Sequence, residues 1–278
     1  MSPLVSIGIP AFNAEKTLPA TLTSVFQQTF SDYEILVSDN ASTDRTAEIC
    51  RKTKAERKQM QYVRKESNCG AFQNFRDVLK QATGKYFMWL GADDLISENF
   101  LKCNVEKLEA DHNKAIASAG WNLHPHPLYQ GKKIGFSCCG TKFQRLSALL
   151  SNIYDSHAIF YSIIRREVII KFPFGKRGFP AWDWAVDVHL AAWGDIQRSE
   201  EANIIFGQGG MSLRDDGWRL FQSSSLDRLL PLGRFSIFFI KQLSGIALPR
   251  KIQLLAQLFR LNQRVWHDLR NSSRYGQG

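Results

Sequence analysis

The sequence predicts an α/β fold built on a mostly parallel central sheet with helices on both faces, in a chain of 278 residues. Three observations carry this. Short β-branched runs alternate with amphipathic segments through the first hundred residues, and polar residues collect just after those runs. "KYFMWL", residues 85 to 90, reads as a strand buried on both faces and is followed at once by Asp93 and Asp94.

Taken in order, "LVSIGIP" (4 to 10) is a strand closed by Pro10. Leu18, Leu22, Val25 and Phe26 then recur at helical spacing, with Pro19 tolerable in the first turn. "YEILVSD" ends at Asp39, and Ser42 is the expected N-cap of the next helix. "QYVRKE" predicts a third strand. Phe72, Phe75, Leu79 and Ala82 share one side of a helix whose expected C-cap is Gly84. Beyond residue 100 the pattern predicts a helix near 98 to 110, the strand "AIASAGW", loops from 122 to 142 and a helix near 143 to 152. The strand "HAIFYSIIRR", the helix "WDWAVDVHLAAWG" and a strand near 195 to 205 follow. The expected division is a domain over 1–212, with halves 1–110 and 111–212, and a helical extension over 213–278.

At 44% hydrophobic and 12% aromatic residues the chain has ample material for a core. Five irregularly spaced cysteines without a CxxC pair predict a reducing compartment and no disulfide framework. The first residues lack the positive region of a secretory signal, and no stretch reaches the roughly 20 uncharged apolar residues of a spanning helix. His124 and His126 with Cys138 and Cys139 match no zinc-finger spacing, so a surface loop is the better account. Net charge is +10, and from Arg228 onward nine Lys or Arg face one acid, Asp268. That basic, aromatic-rich tail suits helices lying in an anionic membrane interface. It equally suits a helical pair, divided near Pro249, packed on the domain or on a second subunit. No nucleic-acid-binding module is visible.

In open α/β sheets ligands bind beyond the carboxyl ends of the strands, where Asp39, Asn68, Asp93 and Asp94 all fall. Adjacent carboxylates suit Mn2+ or Mg2+, with substrate phosphates completing the shell. The alternative is a turn that caps a helix beginning near Ser97. Neither GxGxxG after the first strand nor GxxxxGK[ST] is present, which removes the dinucleotide fold and the P-loop.

"VSIGIPAFNAEKTLPATLTSVFQQTFSDYEILVSDNASTDRTAEI" and "NCGAFQNFRDVLKQATGKYFMWLGADD" together resemble the nucleotide-sugar domain of glycosyltransferase family 2. The resemblance is close from residue 4 to about 110 and looser to about 212. It implies a GT-A fold and inverting transfer from a nucleotide sugar, a UDP-sugar by the family's habit. The implied acceptor is a glycan or lipid-linked molecule of cell-surface polysaccharide or lipopolysaccharide synthesis, handled in the cytoplasm at the inner membrane face.

By position, the resemblance implies that Pro10, Ala11, Phe12 and Asn13 line the base pocket, that Asp39 contacts the base, and that Asn68 and Gly70 sit against the nucleotide. "GADD" matches the metal motif with Gly91 where an aspartate often stands. Asp93 is implied for ribose and metal contact, and Asp94 for support or a share of the metal. Inverting transfer also needs a base on the acceptor side, and Asp183 holds the matching place. The alternative for Asp183 is a helix-dipole acid. Its competitor Asp187, one turn later, is expected to face solvent or a neighbouring Arg. Trp182 and Trp184 flank the base and are candidates for stacking on a sugar or for the core. Arg214 is the only basic group offered to the donor phosphates by "FGQGGMSLRDD". A sugar-1-phosphate nucleotidyltransferase would need a glycine-rich, Arg- and Lys-bearing loop that "PAFNAEKT" lacks. A noncatalytic binding module would be expected to lack the acids found here.

Overall fold

The computed structural model describes residues 2–111, 115–123, 133–207 and 230–275. Strands β1 (Val5–Ala11), β2 (Tyr33–Asp39), β3 (Met60–Arg64) and β4 (Tyr86–Trp89) alternate with helices α1 (Leu18–Phe26), α2 (Thr46–Glu56) and α3 (Ala71–Gln81). Then come β5 (Leu95–Ile96), α4 (Phe100–Ala110), β6 (Ala115–Leu123), β7 (Lys133–Ile134), α5 (Lys142–Ser151) and the one-turn helix α6 (His157–Phe160). The series closes with β8 (Ile163–Arg165), α7 (Arg166–Ile169), α8 (Trp182–Trp193), β9 (Asp195–Ile205), α9 (Gly233–Lys241) and α10 (Leu248–Tyr275).

These strands form one nine-stranded sheet in the order β3-β2-β1-β4-β8-β6-β9-β5, with β7 beside β6. The first four strands are parallel, as the βαβ alternation requires. β8 joins β4 and β6 antiparallel, and β9 returns parallel to β6. β5 pairs antiparallel with the end of β9, which brings the segment after Asp94 against Ile204 and Ile205.

Strand β4 is buried on both faces because its side chains alternate between two cores. Phe87 and Trp89 join the core that holds α3, α8 and the C-terminal helices. Tyr86, Met88 and Leu90 join the one beneath α1 and α4. In the first core Trp89 stacks on Phe160 at 4.7 Å and 6°. The C-terminal helices belong to this core through Phe235, Phe239, Leu254, Leu258, Leu261 and Val265.

Three local expectations are corrected. Ser42 does not cap α2. The helix starts at Thr46, and the Ser42 hydroxyl instead accepts the Asn13 N–H at 2.9 Å, tying the loop after β1 to the loop after β2. Gly84 is not the C-cap of α3, which ends at Gln81 with Ala82 extended. Its N–H donates to Ser6 Oγ at 2.8 Å, and an added Cβ would lie 2.9 Å from Ser6. "HAIFYSIIRR" is a strand only over Ile163–Arg165, because its first half turns as α6 from Ser156. A continuous apolar run does not separate the two by periodicity.

Candidate functional site

The carboxyl ends of β1, β2 and β4 open onto one region. After β1, Asn13 takes a positive φ of 49° and its Oδ1 accepts the Thr43 N–H at 2.8 Å. Ala14 and Glu15 donate to Thr46 Oγ1 and Asp44 Oδ2 at 2.8 and 3.0 Å. These bonds fix the backbone of "PAFN" against the β2 loop. Pro10 and Ala11 are buried in the strand, whereas Phe12 is 48% exposed, an apolar face offered outward.

Asp39 ends β2 fully buried. Its Oδ1 accepts the Ser42 N–H at 2.9 Å, and its Oδ2 accepts the Tyr62 hydroxyl at 2.9 Å beside Arg64 Nε at 3.4 Å. Both oxygens therefore brace the loop from inside. Burial, then the Asp39 hydrogen bond, pushes the Tyr62 phenol up, keeping it a donor. Asn68 is exposed, and its Oδ1 accepts Asn40 Nδ2 and Gly70 N, each at 2.8 Å. Gly70 begins α3 at φ 81°, a conformation that favours glycine.

The two acids after β4 differ. Asp94 is buried, with Oδ2 accepting the Gly91 N–H and Oδ1 the Gly207 N–H, both at 3.0 Å. It pins the turn to the end of β9. Burial and the neighbouring Asp93 charge, opposed by the two N–H donors, push its carboxyl up to about 7. Asp93 is half-buried and lies against Gly207, where any Cβ would strike its carboxylate. Gly91 is explained in the same way, since a Cβ there would meet the Asp94 carboxylate. Neither acid caps α4, which begins at Phe100 after Asn99.

Asp183 occupies the first turn of α8. Burial pushes its carboxyl up, and the nearby His157 on α6 opposes that shift. His157 itself is pushed down by burial, against Asp183. Tyr161 unites the site: its phenol feels the charges of Asp94, Asp93 and Asp183 together, and burial drives it upward. Phe206 packs edge-on to His157 at 5.3 Å and beside Tyr161 at 5.2 Å, directly before Gly207. The strand-end acids and Asp183 thus flank one aromatic patch.

Asp187 does not face solvent or an arginine. It is buried, and its Oδ2 accepts the Ser156 hydroxyl at 2.8 Å, because α8 is covered on all sides at that turn. Trp182 is core, 6% exposed and edge-on to Phe72, Phe75 and Phe160, so its ring is spent on packing rather than on a sugar. Trp184 is half-buried between Tyr154 at 5.5 Å and Phe235 at 6.2 Å. Arg214, and the pair His124 and His126, lie outside the described residues. His157, Tyr161 and Phe206 were missed. The i, i+4 spacing of His157 and Tyr161 was the available signal, hidden by reading that segment as a strand.

The donor set fits a divalent cation that takes one carboxylate from the protein and its remaining oxygens from a diphosphate and water. Of the two carboxylates Asp93 is the more accessible, while Asp94 already accepts from two backbone N–H groups. No cluster of three His, Cys, Asp or Glu able to hold a metal occurs among the described residues.

A parallel sheet with acids at its strand ends, joined to a mixed half that carries a further acid, defines an α/β protein whose ligand site lies beyond the carboxyl ends of its strands. The chain belongs to glycosyl transferase family 2, whose model matches residues 6–169. Among curated relatives it is 29% identical over 114 residues to glycosyltransferase GlyG of Streptococcus pneumoniae, covering 40% of this chain and 38% of that one. It is 30% identical over 111 residues to a PGL/p-HBAD biosynthesis glycosyltransferase of Mycobacterium bovis, covering 40% and 43%. The match therefore spans about two-fifths of each relative. Among solved structures, residues 1–349 of S. aureus TarS superpose with a TM-score of 0.60 at 18% identity, covering 97% of this chain and 83% of that one. A mannosyltransferase, PcManGT, from Pyrobaculum calidifontis in complex with GDP-Man and Mn2+ superposes with a TM-score of 0.57 at 16% identity, covering 98% and 85%. Identities this low speak for the fold alone.

Proposed function

We propose that the protein is an inverting glycosyltransferase using a nucleotide-sugar donor. The observation that carries this is the Phe206–Gly207 segment after β9, where Gly207 binds Asp94 and crowds Asp93 while Phe206 packs on His157 and Tyr161 beside Asp183. In this reading Pro10, Ala11, Phe12 and Asn13, with Asp39, Asn68 and Gly70, form the nucleotide side. Asp39 shapes the base pocket by bracing the loop of residues 40 to 42 as well as by any direct contact. TarS has been solved with UDP-GlcNAc and PcManGT with GDP-Man, which supports a nucleotide-sugar donor and leaves UDP as the choice favoured by the sequence resemblance.

The acceptor hydroxyl attacks the anomeric carbon from the Asp183 side. Its oxygen forms the new bond, and the bond from that carbon to the nucleoside diphosphate breaks, with the electron pair leaving on the diphosphate. The hydroxyl proton passes to the Asp183 carboxylate. Burial makes Asp183 a stronger base than an exposed carboxylate. Asp93 would hold Mn2+ or Mg2+, which would supply Lewis-acid stabilisation of the departing charge when bound. Gly207 leaves room for Asp93, and Asp94 keeps the turn and the end of β9 in register. The acceptor is a glycan or lipid-linked molecule of cell-surface polysaccharide or lipopolysaccharide synthesis, and the place of action is the cytoplasmic face of the membrane.

The test is donor hydrolysis and transfer with a panel of UDP- and GDP-sugars, with and without Mn2+, beside Asp183→Ala. One donor class is expected to turn over, with stimulation by metal and loss in the variant. No binding or turnover of any nucleotide sugar would reject the reading.

A further inference from the structure

The C-terminal helices carry two apolar stripes where one would suffice for packing. On α10, Leu254, Leu258, Leu261 and Val265 are buried in the core. Leu248, Ile252, Leu255, Phe259 and Trp266 are exposed, at 70, 59, 39, 63 and 43%. At about 100° per residue these five fall within roughly 60° of one another, a second stripe along the helix. On α9, Ile237 and Ile240 are also exposed, at 52 and 50%. Asn262 Nδ2 donates to Ser236 Oγ at 3.1 Å, which joins the helices where the two exposed apolar sets border each other.

Basic groups frame this face. Lys251 and Arg260 flank the stripe on opposite sides, and the Arg270 guanidinium stacks on Trp266 at 3.5 Å. Within 230 to 270, Arg234, Lys241, Arg250, Lys251, Arg260, Arg264 and Arg270 stand against Asp268 alone. Facing two copies across this stripe would bring two strongly cationic tails together, so the charge favours an anionic occupant. No helix among the described residues is long and apolar enough to cross a membrane, so the apolar stripe belongs to a helix that lies on a surface rather than spanning it.

We propose that the exposed face of α9 and α10 docks on an anionic lipid bilayer, with the apolar stripe in the acyl boundary and Lys251, Arg260 and Arg270 at the headgroups. The face is mechanically joined to the acceptor side of the site. The Arg264 guanidinium lies over Tyr154 at 4.3 Å, and the Tyr154 hydroxyl donates to Asp268 at 3.0 Å. Tyr154 and Phe235 in turn clamp Trp184, next to Asp183. Docking therefore holds α8 close to the bilayer and presents the site to an acceptor carried there on a lipid. This acceptor clause rests on the glycosyltransferase reading, whereas the docking does not.

The test is flotation of the full chain with phosphatidylcholine vesicles, with and without phosphatidylglycerol, at low and high salt. Parallel samples carry Ile252→Gln/Phe259→Gln or Lys251→Glu/Arg260→Glu, with thermal unfolding and donor hydrolysis in solution as controls that both variants are expected to leave unchanged. Wild type is expected to float only with anionic vesicles and to be released by salt, with at least a tenfold weaker association in each variant. Equal flotation of wild type and both variants, or none with anionic lipid, overturns the proposal. So does a salt-insensitive dimer lost in Ile252→Gln/Phe259→Gln, which would assign the stripe to a second copy. Flotation without any donor turnover would retain the docking and reject only the enzyme reading.

Discussion

Asp187→Asn tests the electrostatics beneath the candidate base. Asp187 is 1% exposed, accepts one hydrogen bond from Ser156, and its Oδ1 has no partner. Burial pushes its pKa well above the ordinary value; the Ser156 bond opposes this and the nearby Asp183 charge adds to it. In the unfolded chain this carboxyl loses its proton near 3.9, whereas the folded protein keeps it, so above that pH the native state binds one more proton than the unfolded one. Wild-type stability therefore falls as pH rises, by about 1.4 kcal/mol per unit from this group, until its folded pKa is passed. Asparagine has no proton to retain. Relative to wild type, Asp187→Asn gains about 1.4 kcal/mol per pH unit across that window. Its Nδ2 can take the orphan position at a cost of roughly 1–3 kcal/mol, but that cost does not depend on pH. Denaturant unfolding of both proteins at steps of about one unit from about pH 4.5 to 6.5 reads the slope. A stability difference that stays flat, or that moves toward wild type, refutes a protonated Asp187. Keeping that proton matters to function because an ionised Asp187 one turn away would repel the charge on Asp183.

Asp183→Asn is expected to lower kcat by about 10²- to 10⁴-fold while leaving donor affinity by calorimetry nearly unchanged, and retained transfer rejects it as the base. Because burial raises Asp183, the transfer rate rises with pH as that proton leaves, and His157→Phe moves this limb to higher pH in a rate profile. Asp94→Ala leaves the N–H groups of Gly91 and Gly207 without their acceptor and is expected to cost about 1–3 kcal/mol for each one kept from water. Asp93→Ala changes unfolding little and removes the metal stimulation of donor hydrolysis. Gly207→Ala drives a methyl into the Asp93 carboxylate and is expected to raise the donor KM about tenfold, a loss of roughly 1.4 kcal/mol of binding. An unchanged KM would show that Asp93 is free to move aside.

The sequence by itself determined the parallel half of the fold and its family. Alternation of period 2 and period 3.6 needs only local chemistry, and the strand-end position of Asp39, Asn68, Asp93 and Asp94 follows from it. The division between Asp93 and Asp94 was not legible, because it depends on Gly207, more than a hundred residues away, donating to one carboxylate and crowding the other. His157 and Tyr161 were lost to a strand reading, since an apolar run turns or extends according to what it packs on, here Trp89 beneath Phe160. Asp187 is expected outward, and Trp182 stays open between a sugar and the core, because helix spacing gives a face but not its surroundings. Phe72 and Phe75 of α3 and Phe160 of α6 enclose Trp182, and Ser156 meets Asp187. In the tail, composition revealed apolar and basic residues together, and only packing separated the stripe held by the core from the one left exposed. Local pattern sets what each segment can form; burial, hydrogen-bond partners and carboxyl protonation are set by residues distant in sequence, and they exist only once the chain has folded.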